Sequence, residues 1–553
     1  MTPPLAGATP LTCSYRPADT SVPLVDYTLG ELLRVRAHEH PEHTALVGVR
    51  VGTGETDRLS YAQLWAEACR TATGIRSLAK PGDLVALWAP NVVEWPVIEF
   101  GAALAGVTLV ALNPVLRAEE LSYALGHSGS TVLLHADRSR AYDLAAVAGQ
   151  LRDSFPDLKI VSLSERARWC PGQPDPAVVA AAPTDPDRPV MLQYTSGTTG
   201  NPKGVLLRHR SLVNVAKLTM EAAGAKPGAV AVNPLPMFHT AACVIGTLGP
   251  LWLGGTQVLV EQFAPGPVLD TLRDERAGIL FYVPAVLGAL LAEQKNRAAP
   301  PPRLDVVMGG AAMVPEAMIE AAQQVFGATV INLFGQTELA PVLTATRLAD
   351  SREDQLTTVG RPLPQVDCKV VNPATGEIAP LGGEGEICAR GYQQLVAYLH
   401  DPQATAATID ADGFVHTGDL GSMDERGYLK VTGRLKELII RGGENIAPAA
   451  VESVIAGHPL VGEATVVGLP DAQWGEVVAC VLRLAADPPA DLIDQLIAYA
   501  RERMSPYKVP TRWFLADSDL PVTPTGKIRK FQVRDQIRES LLRELRAQKE
   551  AAR

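Results

Sequence analysis

The stretch Tyr194-Thr-Ser-Gly-Thr-Thr-Gly-Asn-Pro-Lys-Gly-Val205 decides the fold, because it concentrates three glycines, four small hydroxyl residues and one lysine. Glycine allows the backbone to approach a ligand closely, and amide and hydroxyl donors can satisfy anionic oxygens. Lys203 adds a compact positive charge. The mostly apolar run Pro189-Val-Met-Leu-Gln193 predicts a buried strand before the stretch, and a helix is expected to begin at His209. These residues favour a phosphate-binding loop, and a solvent-exposed glycine turn is the alternative that they leave open.

This loop is not a Walker A loop, in which four residues separate a glycine from Gly-Lys-Ser/Thr. Counting from Gly197 puts Pro202 where the second glycine is required. The pattern Tyr-Thr-Ser-Gly-Thr-Thr-Gly-x-Pro-Lys-Gly instead resembles, over eleven positions, the phosphate-loop signature of the adenylate-forming superfamily of acyl-CoA synthetases, adenylation domains and luciferases. The resemblance implies that ATP phosphates are bound by Thr195, Ser196, Gly197, Thr198, Thr199, Gly200 and Lys203. It also places Thr198 close to Mg²⁺.

Length and composition exclude several classes of protein. A chain of 553 residues is too long for one hydrophobic core, so about two to four domains or subdomains are expected. A content of 47% hydrophobic and 20% charged residues is typical of an ordered globular protein. The net charge of -10 argues against a nucleic-acid-binding protein. The seven scattered cysteines form no Cys-x-x-Cys pair, which favours a reducing compartment over a disulfide framework or zinc ribbon.

The sequence contains no convincing targeting or membrane segment. Residues 1–24 include prolines but no basic segment followed by an apolar block, so no secretory signal is expected. The apolar stretches near 97–112 and 241–253 are interrupted by Glu99 or by glycine and proline, and neither is predicted to span a membrane. A cytoplasmic protein is therefore expected. The sequence leaves its oligomeric state undecided, with a homodimer among the choices.

Helical and strand patterns alternate in the first third of the chain. Thr28 and Glu31 have the spacing of a capping box, which predicts a helix start. Further helices are predicted over 61–78, 95–105 and 118–127, with strands over 84–88, 108–112 and 131–134. Strands separated by helices indicate a mostly parallel α/β sheet. Residues 360–430 have a β-rich pattern, and helix and strand patterns return after them.

Two later motifs extend the resemblance over residues 30–530. Val431-Thr-Gly-Arg-Leu-Lys-Glu-Leu-Ile-Ile-Arg-Gly-Gly-Glu-Asn-Ile446 resembles the superfamily's hinge, and Pro521-Val-Thr-Pro-Thr-Gly-Lys-Ile-Arg529 resembles its terminal lysine motif. The implied fold is α/β: a large domain over 1–432, with parallel α/β subdomains and a β-rich subdomain, and a small mobile α+β domain over 433–553. The hinge is expected at 433–437, with rotation about Lys436.

The resemblance also assigns catalytic and nucleotide-binding roles. In Phe334-Gly-Gln-Thr-Glu338, the carboxylate follows a predicted strand, where it can serve Mg²⁺, and the aromatic ring is expected to stack on adenine. Phe334 replaces the commoner tyrosine, so a phenol hydrogen bond is lost. Lys527 is expected to bridge the substrate carboxylate and the α-phosphate. Gly309 and Gly310 are expected to contact adenine, Asp419 and Arg434 the ribose, and Gly443 the pantetheine tunnel. Asn332 and Thr337 are further expected nucleotide-binding residues.

His239 lies in Pro236-Met-Phe-His-Thr240, which resembles the superfamily's next motif, although a lone histidine there is more often structural. The resemblance implies that this region borders and gates an acyl pocket. The predicted pocket residues are Phe238, His239, Ala242, Cys243, Gly246, Gly309, Gly310 and Ala311. Residues 238–246 contain no aspartate that could bind a substrate ammonium group. The small side chains are expected to leave volume for an apolar, bulky or ring-containing carboxylic acid.

The resemblance implies ATP-dependent formation of an acyl-adenylate and transfer of the acyl group to coenzyme A, which yields acyl-CoA, AMP and pyrophosphate. Two alternatives belong to other classes. A stand-alone ligase would load a separate carrier protein, since no carrier motif is expected after residue 530. A non-catalytic nucleotide-binding module would be expected to have a broken motif, and none of the motifs is broken.

Overall fold

The computed structural model describes residues 10–195, 202–310, 314–441, 444–471, 474–485, 488–516, 520–522 and 528–551. Most of these residues belong to four sheets and the helices packed on them. The predicted α/β class, with a large N-terminal part and a small C-terminal part, is confirmed. The exact division at residues 432 and 433 stays a prediction.

The first sheet has seven strands, of which the last five in the order given below run parallel, while the first two pair antiparallel. Its order is Ala397–Tyr398, Lys203–Arg208, Pro189–Thr195, Thr108–Leu112, Leu84–Trp88, Val132–His135 and Lys159–Ser162. The helices of this part of the chain are Leu29–Glu39, Tyr61–Leu78, Glu94–Ala105, Ala118–Ser128, Leu144–Gln150, Arg166–Trp169, Pro176–Ala180 and His209–Ala222. Strands buried on both faces explain the continuous apolar runs in the sequence.

Local signals determine where several of these helices begin. Thr28 and Glu31 form the predicted capping box at the start of Leu29–Glu39. Ser60 and Gln63 form another at the start of Tyr61–Leu78. These reciprocal bonds satisfy backbone donors that the first helical turn leaves without a partner.

The second sheet has nine strands and is also parallel at its centre. Its order is Arg361–Pro362, Thr344–Ala345, Thr329–Phe334, Val306–Gly310, Ile279–Tyr282, Val230–Asn233, Thr256–Leu259, Thr44–Val49 and Thr56–Ser60. Its helices are Gly246–Trp252, Pro265–Asp274, Pro284–Lys295, Glu316–Phe326 and Arg352–Thr357. The carboxyl ends of its central strands contain the residues predicted to contact adenine, as is usual for ligand sites in open α/β sheets.

The predicted β-rich region is an antiparallel sheet. Its strands are Tyr15–Arg16, Val366–Val371, Gly385–Gly391, Val415–Met423 and Leu429–Arg434, in that order, and the helix Pro402–Thr408 also lies in this region. The last sheet contains Glu444–Ile446, Ile439–Arg441, Gly475–Leu484, Val461–Asp471 and Arg512–Leu515, with helices Pro448–Ala456, Leu492–Arg501 and Lys530–Ala551. It has a hydrophobic core of its own. No helix of the described ranges is long and apolar enough to cross a membrane.

Candidate functional site

A β-hairpin brackets the predicted phosphate loop. The strands Pro189–Thr195 and Lys203–Arg208 pair antiparallel, with Thr195 directly opposite Lys203. Thr195 Oγ1 also lies 3.5 Å from the carbonyl oxygen of Lys203. The hairpin therefore holds the two ends of the loop together. The loop residues Ser196, Gly197, Thr198, Thr199 and Gly200 lie outside the described residues, so their roles stay predictions.

A buried tyrosine connects the hairpin to the predicted metal ligand. The Tyr398 hydroxyl donates a hydrogen bond of 2.8 Å to Glu338 Oε1. Lys203 Nζ lies 4.9 Å from the centre of the same tyrosine ring, within range of a cation–π interaction. Burial and the neighbouring Glu338 raise the pKa of Tyr398, so the hydroxyl stays protonated as a donor. One side chain thus contacts both a carboxylate and a lysine that were predicted to serve the ATP phosphates.

A backbone hydrogen bond and a strand pairing hold Glu338 and Tyr398 close together. Glu338 lies in the short helix Thr337–Leu339, which follows the strand Thr329–Phe334. Its carbonyl oxygen accepts a 2.8 Å bond from the Leu395 amide. The strand Ala397–Tyr398 then pairs with the second strand of the hairpin. Tyr398 was not among the predicted site residues, since no local pattern connects it with a carboxylate 60 positions earlier.

The predicted ribose ligand Asp419 is buried and its carboxylate is oriented. It lies opposite Arg434 in neighbouring antiparallel strands, and Arg434 Nε lies 2.8 Å from Asp419 Oδ1. Asp419 is only 4% exposed, whereas the arginine is exposed. Thr417 Oγ1 accepts a 3.1 Å bond from the Asp419 amide and donates one of 2.6 Å to the carbonyl oxygen of Ile387. These bonds fix the position of Asp419 in its strand, and its predicted role as a ribose ligand stays a prediction.

The predicted adenine region lies where two parallel strands end. Gly309 pairs with Asn332, and Phe334 is half-buried at the end of the neighbouring strand. The buried Asn332 amide is already bonded, since its Oδ1 accepts from the Tyr282 hydroxyl at 3.0 Å and its Nδ2 donates to the carbonyl oxygen of Gln355 at 3.3 Å. The structure thus gives this side chain a bracing role in the core. A direct contact between Asn332 and nucleotide stays a prediction.

The predicted acyl region contains an unusual helical turn. The rings of Phe238 and His239 are half-buried, with centres 4.7 Å apart. They precede the π-helical turn Ala241–Ile245, a conformation that is frequent at functional sites. Ala242 and Cys243 on this turn are fully buried.

The expectation that the pocket glycines leave open volume is wrong at three positions. A Cβ atom on Gly246 would lie 2.3 Å from Asn233 Nδ2. On Gly309 it would lie 1.9 Å from the Tyr282 carbonyl oxygen, and on Gly310 it would lie 2.0 Å from that of Leu333. Neighbouring atoms already occupy the space, so these glycines permit close packing. Ala311, the predicted pocket residue that follows Gly310, lies outside the described residues.

A buried carboxyl group, that of Glu99, lies near Cys243 of the π-helical turn Ala241–Ile245. Glu99 is 1% exposed, and within the described chain neither of its carboxyl oxygens has a hydrogen-bond partner. Burial therefore raises the pKa of Glu99 well above its ordinary value, which keeps the group protonated and neutral. Burial first and the proximity of Glu99 second raise the pKa of Cys243 as well. In the sequence, Glu99 is visible only as an interruption of an apolar run.

The predicted hinge lies between two sheets. Lys436 is exposed in the short helix Leu435–Glu437, which connects the strand Leu429–Arg434 to Ile439–Arg441 of the last sheet. Lys530 Nζ lies 3.4 Å from a Glu437 carboxylate oxygen, so the C-terminal helix contacts this connection. The predicted residues Lys527 and Gly443 lie outside the described residues, and rotation about Lys436 stays a prediction.

Comparisons with known proteins agree on one family. The model of the AMP-binding enzyme family matches residues 33–399, and the model of the AMP-binding enzyme C-terminal domain matches residues 450–527. The chain is 33% identical to the acyl-CoA ligase sidI of Aspergillus fumigatus, over 92% of this chain and 91% of that protein. It is 32% identical to the mitochondrial medium-chain acyl-CoA ligase ACSF2 of Rattus norvegicus, over 96% of this chain and 90% of that protein.

A solved structure extends the similarity to the fold. The o-succinylbenzoate CoA synthetase of Bacillus subtilis, in complex with its acyl-adenylate intermediate, superposes with a TM-score of 0.77 at 28% identity. The match covers 91% of this chain and 97% of the synthetase.

Proposed function

The chain belongs to the AMP-binding enzyme family, and we propose that it activates an apolar carboxylic acid with ATP and transfers the acyl group to coenzyme A. It is an AMP-forming acid–thiol ligase, as its acyl-CoA ligase relatives are. The proposed products are acyl-CoA, AMP and pyrophosphate. The proposed acid is bulky or contains a ring. The half-buried Phe238 and the fully buried Ala242 and Cys243 make the predicted acyl region apolar, which supports an apolar acid, whereas the glycines give no support to a bulky one.

The contact of Tyr398 with both Glu338 and Lys203 carries the proposal. The first half-reaction brings a carboxylate towards an anionic α-phosphate, and pyrophosphate must leave. Preorganised charges usually make the largest single contribution to such catalysis, about 3–4 kcal/mol for one donor. Tyr398 contacts a lysine through its ring and a carboxylate through its hydroxyl. The lysine supplies a cation for phosphate oxygens, and the carboxylate supplies an anionic ligand for the accompanying metal ion.

The carboxylate fits Mg²⁺, since this hard ion prefers oxygen ligands and Glu338 is half-buried in the short helix that follows a strand. Bound there together with ATP, Mg²⁺ would supply neutralising charge on the phosphates. Lys203 and Thr195 would bind phosphate oxygens, while Phe334 stacks on adenine. Further nucleotide contacts are proposed for Gly310, Asn332, Thr337, Asp419 and Arg434.

Lys527 is proposed to hold the substrate carboxylate against the α-phosphate during adenylation. Its position in the C-terminal part implies that the two parts of the chain close for this step and then rotate about Lys436. Rotation would bring Gly443 to the wall of a tunnel for the pantetheine thiol. A free thiol has a pKa of about 8.5, so some thiolate is present without a dedicated base. His239 would border the acyl group and exclude water from the adenylate.

The test is a panel of carboxylic acids that differ in chain length and ring content, assayed for exchange of labelled pyrophosphate into ATP. The proposal predicts exchange with medium-length or aromatic acids, little with acetate, and thioester formation when coenzyme A is added. A carrier protein in place of coenzyme A is the matched acceptor control. Exchange followed by acyl transfer only to the carrier would contradict coenzyme A as acceptor, and exchange with acetate alone would contradict the proposed acid class.

A further inference from the structure

A cysteine, a histidine and a glutamate meet in the antiparallel sheet, and none of them belongs to the nucleotide site described above. Glu386 and Cys388 lie on one face of the strand Gly385–Gly391, since side chains two residues apart point the same way. His416 is the residue directly opposite Cys388 on the next strand. A register shift between Glu386 and Cys388 brings both side chains to one imidazole nitrogen.

The three side chains converge on a small volume. His416 Nδ1 lies 2.7 Å from Glu386 Oε2 and 3.5 Å from Cys388 Sγ. The three candidate ligand atoms all lie within 4.8 Å of one another. We propose that Glu386, Cys388 and His416 form a binding site for a divalent transition-metal ion of the Zn²⁺ class.

The ligand types and distances fit such an ion. Thiolate, imidazole and carboxylate together favour Zn²⁺ over Mg²⁺ or Ca²⁺, which prefer oxygen ligands alone. With Zn–S of about 2.3 Å and Zn–N of about 2.0–2.1 Å, tetrahedral geometry separates sulfur from nitrogen by about 3.6 Å. The Cys388–His416 separation is already close to this value. Two ligand atoms of the oxygen and nitrogen type lie roughly 3.4 Å apart around such an ion, whereas Glu386 Oε2 lies 2.7 Å from His416 Nδ1. The carboxylate would therefore move back by about 0.7 Å as the ion enters.

Two charged side chains near His416, those of Asp410 and Lys369, also fit an ion of the Zn²⁺ class. Asp410 Oδ2 lies 3.4 Å from His416 Nε2 and can orient the ring, as carboxylates do for histidine ligands in zinc sites. Lys369 Nζ, 3.3 Å from Asp410 Oδ2, balances that carboxylate. On binding, the Cys388 thiol releases its proton to solvent, and the imidazole carries its proton on Nε2, which faces Asp410, so that Nδ1 can bind the ion. One thiolate and the Glu386 carboxylate then neutralise the two charges of the ion. The site therefore leaves no unbalanced charge in the sheet.

The proposed metal site is accessible to solvent on one side, and it contacts the residue beside a proposed ribose ligand. The His416 side chain is 32% exposed, whereas Cys388 is fully buried, so an ion would enter from the imidazole side. Three protein ligands leave a fourth position for water. Glu386 Oε1 also accepts a 2.9 Å bond from the Gly418 amide, and the next residue is Asp419. A proposed ligand of the ion therefore also bonds the residue that precedes the proposed ribose ligand.

The test uses Co²⁺ as a spectroscopic substitute for Zn²⁺ on the full-length protein after chelation. Titration is expected to produce a thiolate-to-cobalt charge-transfer absorption that saturates at one ion per chain and is abolished by added Zn²⁺. The variants Cys388→Ser and His416→Asn should lose this absorption, whereas the matched control Cys480→Ser, which removes another fully buried thiol, should keep it. Thermal unfolding checks that each variant is folded.

X-ray absorption of the zinc-loaded wild-type protein gives a measurement that needs no variant. One sulfur ligand at about 2.3 Å and nitrogen or oxygen at the remaining positions are expected. Absence of the cobalt–thiolate absorption, its persistence in folded Cys388→Ser, or a zinc shell without sulfur would each overturn the proposal.

Discussion

Replacing Tyr398 with phenylalanine removes one oxygen atom from the site and leaves the ring in place. The lost interaction is the 2.8 Å hydrogen bond from the hydroxyl to Glu338 Oε1. Hydrogen bonds to charged groups contribute about 1.5–3 kcal/mol, and 1.36 kcal/mol corresponds to a factor of ten, so kcat/KM for MgATP should fall by about 10- to 150-fold. The ring contact with Lys203 does not need the hydroxyl, so the lysine should stay in position.

The assay is the acid-dependent exchange of pyrophosphate into ATP, measured over a range of MgATP concentrations. Tyr392→Phe is the matched control, because Tyr392 is also buried but its hydroxyl has no hydrogen-bond partner among the described residues. The control should change kcat/KM by less than about twofold. Equal losses in both variants, or a Tyr398→Phe enzyme with wild-type kcat/KM while Glu338→Gln is impaired, would refute the positioning role.

Three other substitutions test separate parts of the account. Asp419→Asn should raise the KM for ATP about tenfold or more, since a charged acceptor is lost. The control is Asp354→Asn, at another buried aspartate that an arginine bonds, which should lower thermal stability without changing this KM. Equal changes of KM in the two variants would contradict the ribose role of Asp419. Burial raises the pKa of folded Glu99, whereas the group has a pKa of about 4.3 in the unfolded chain, so the contribution of this residue to wild-type stability should fall as pH rises from about 4.3 towards its folded pKa. The free energy of unfolding of Glu99→Gln should therefore rise relative to that of the wild type by up to about 1.4 kcal/mol per pH unit. Urea unfolding at several pH values would measure this trend, and a difference that does not depend on pH would contradict it. Gly309→Ala, whose Cβ would lie 1.9 Å from a carbonyl oxygen, should cost about 1–3 kcal/mol or more in thermal unfolding. Gly149→Ala, with no atom within 4 Å of the added Cβ, should be neutral or stabilising, and similar costs would show that close packing is not the reason for Gly309.

Elements with local signals were predictable from the sequence. The helix Tyr61–Leu78 and the strands Leu84–Trp88 and Thr108–Leu112 have the predicted bounds. The strand predicted over 131–134 is found at Val132–His135, one residue later. Capping residues and apolar runs act on neighbouring positions, so periodicity and turn chemistry are sufficient there.

Side-chain contacts between distant segments were not predictable in this way. The bond between Tyr398 and Glu338 depends on how a short strand adds to the edge of the hairpin. The meeting of Cys388 with His416 depends on strand register and on an irregularity in it. The small size of Gly309 suggested open volume, yet a carbonyl of the neighbouring strand occupies that space. A glycine in a sequence does not by itself distinguish an open pocket from a close backbone contact.

The central claim is that an acid is activated as an enzyme-bound acyl-adenylate before any thiol reacts. The most direct measurement is a single-turnover experiment with enzyme in excess over MgATP and a medium-length or aromatic acid, without coenzyme A. The account predicts one pyrophosphate and one acyl-adenylate per ATP, followed by conversion to acyl-CoA and AMP when coenzyme A is added. Release of ADP and phosphate, or pyrophosphate release that requires coenzyme A, would contradict it.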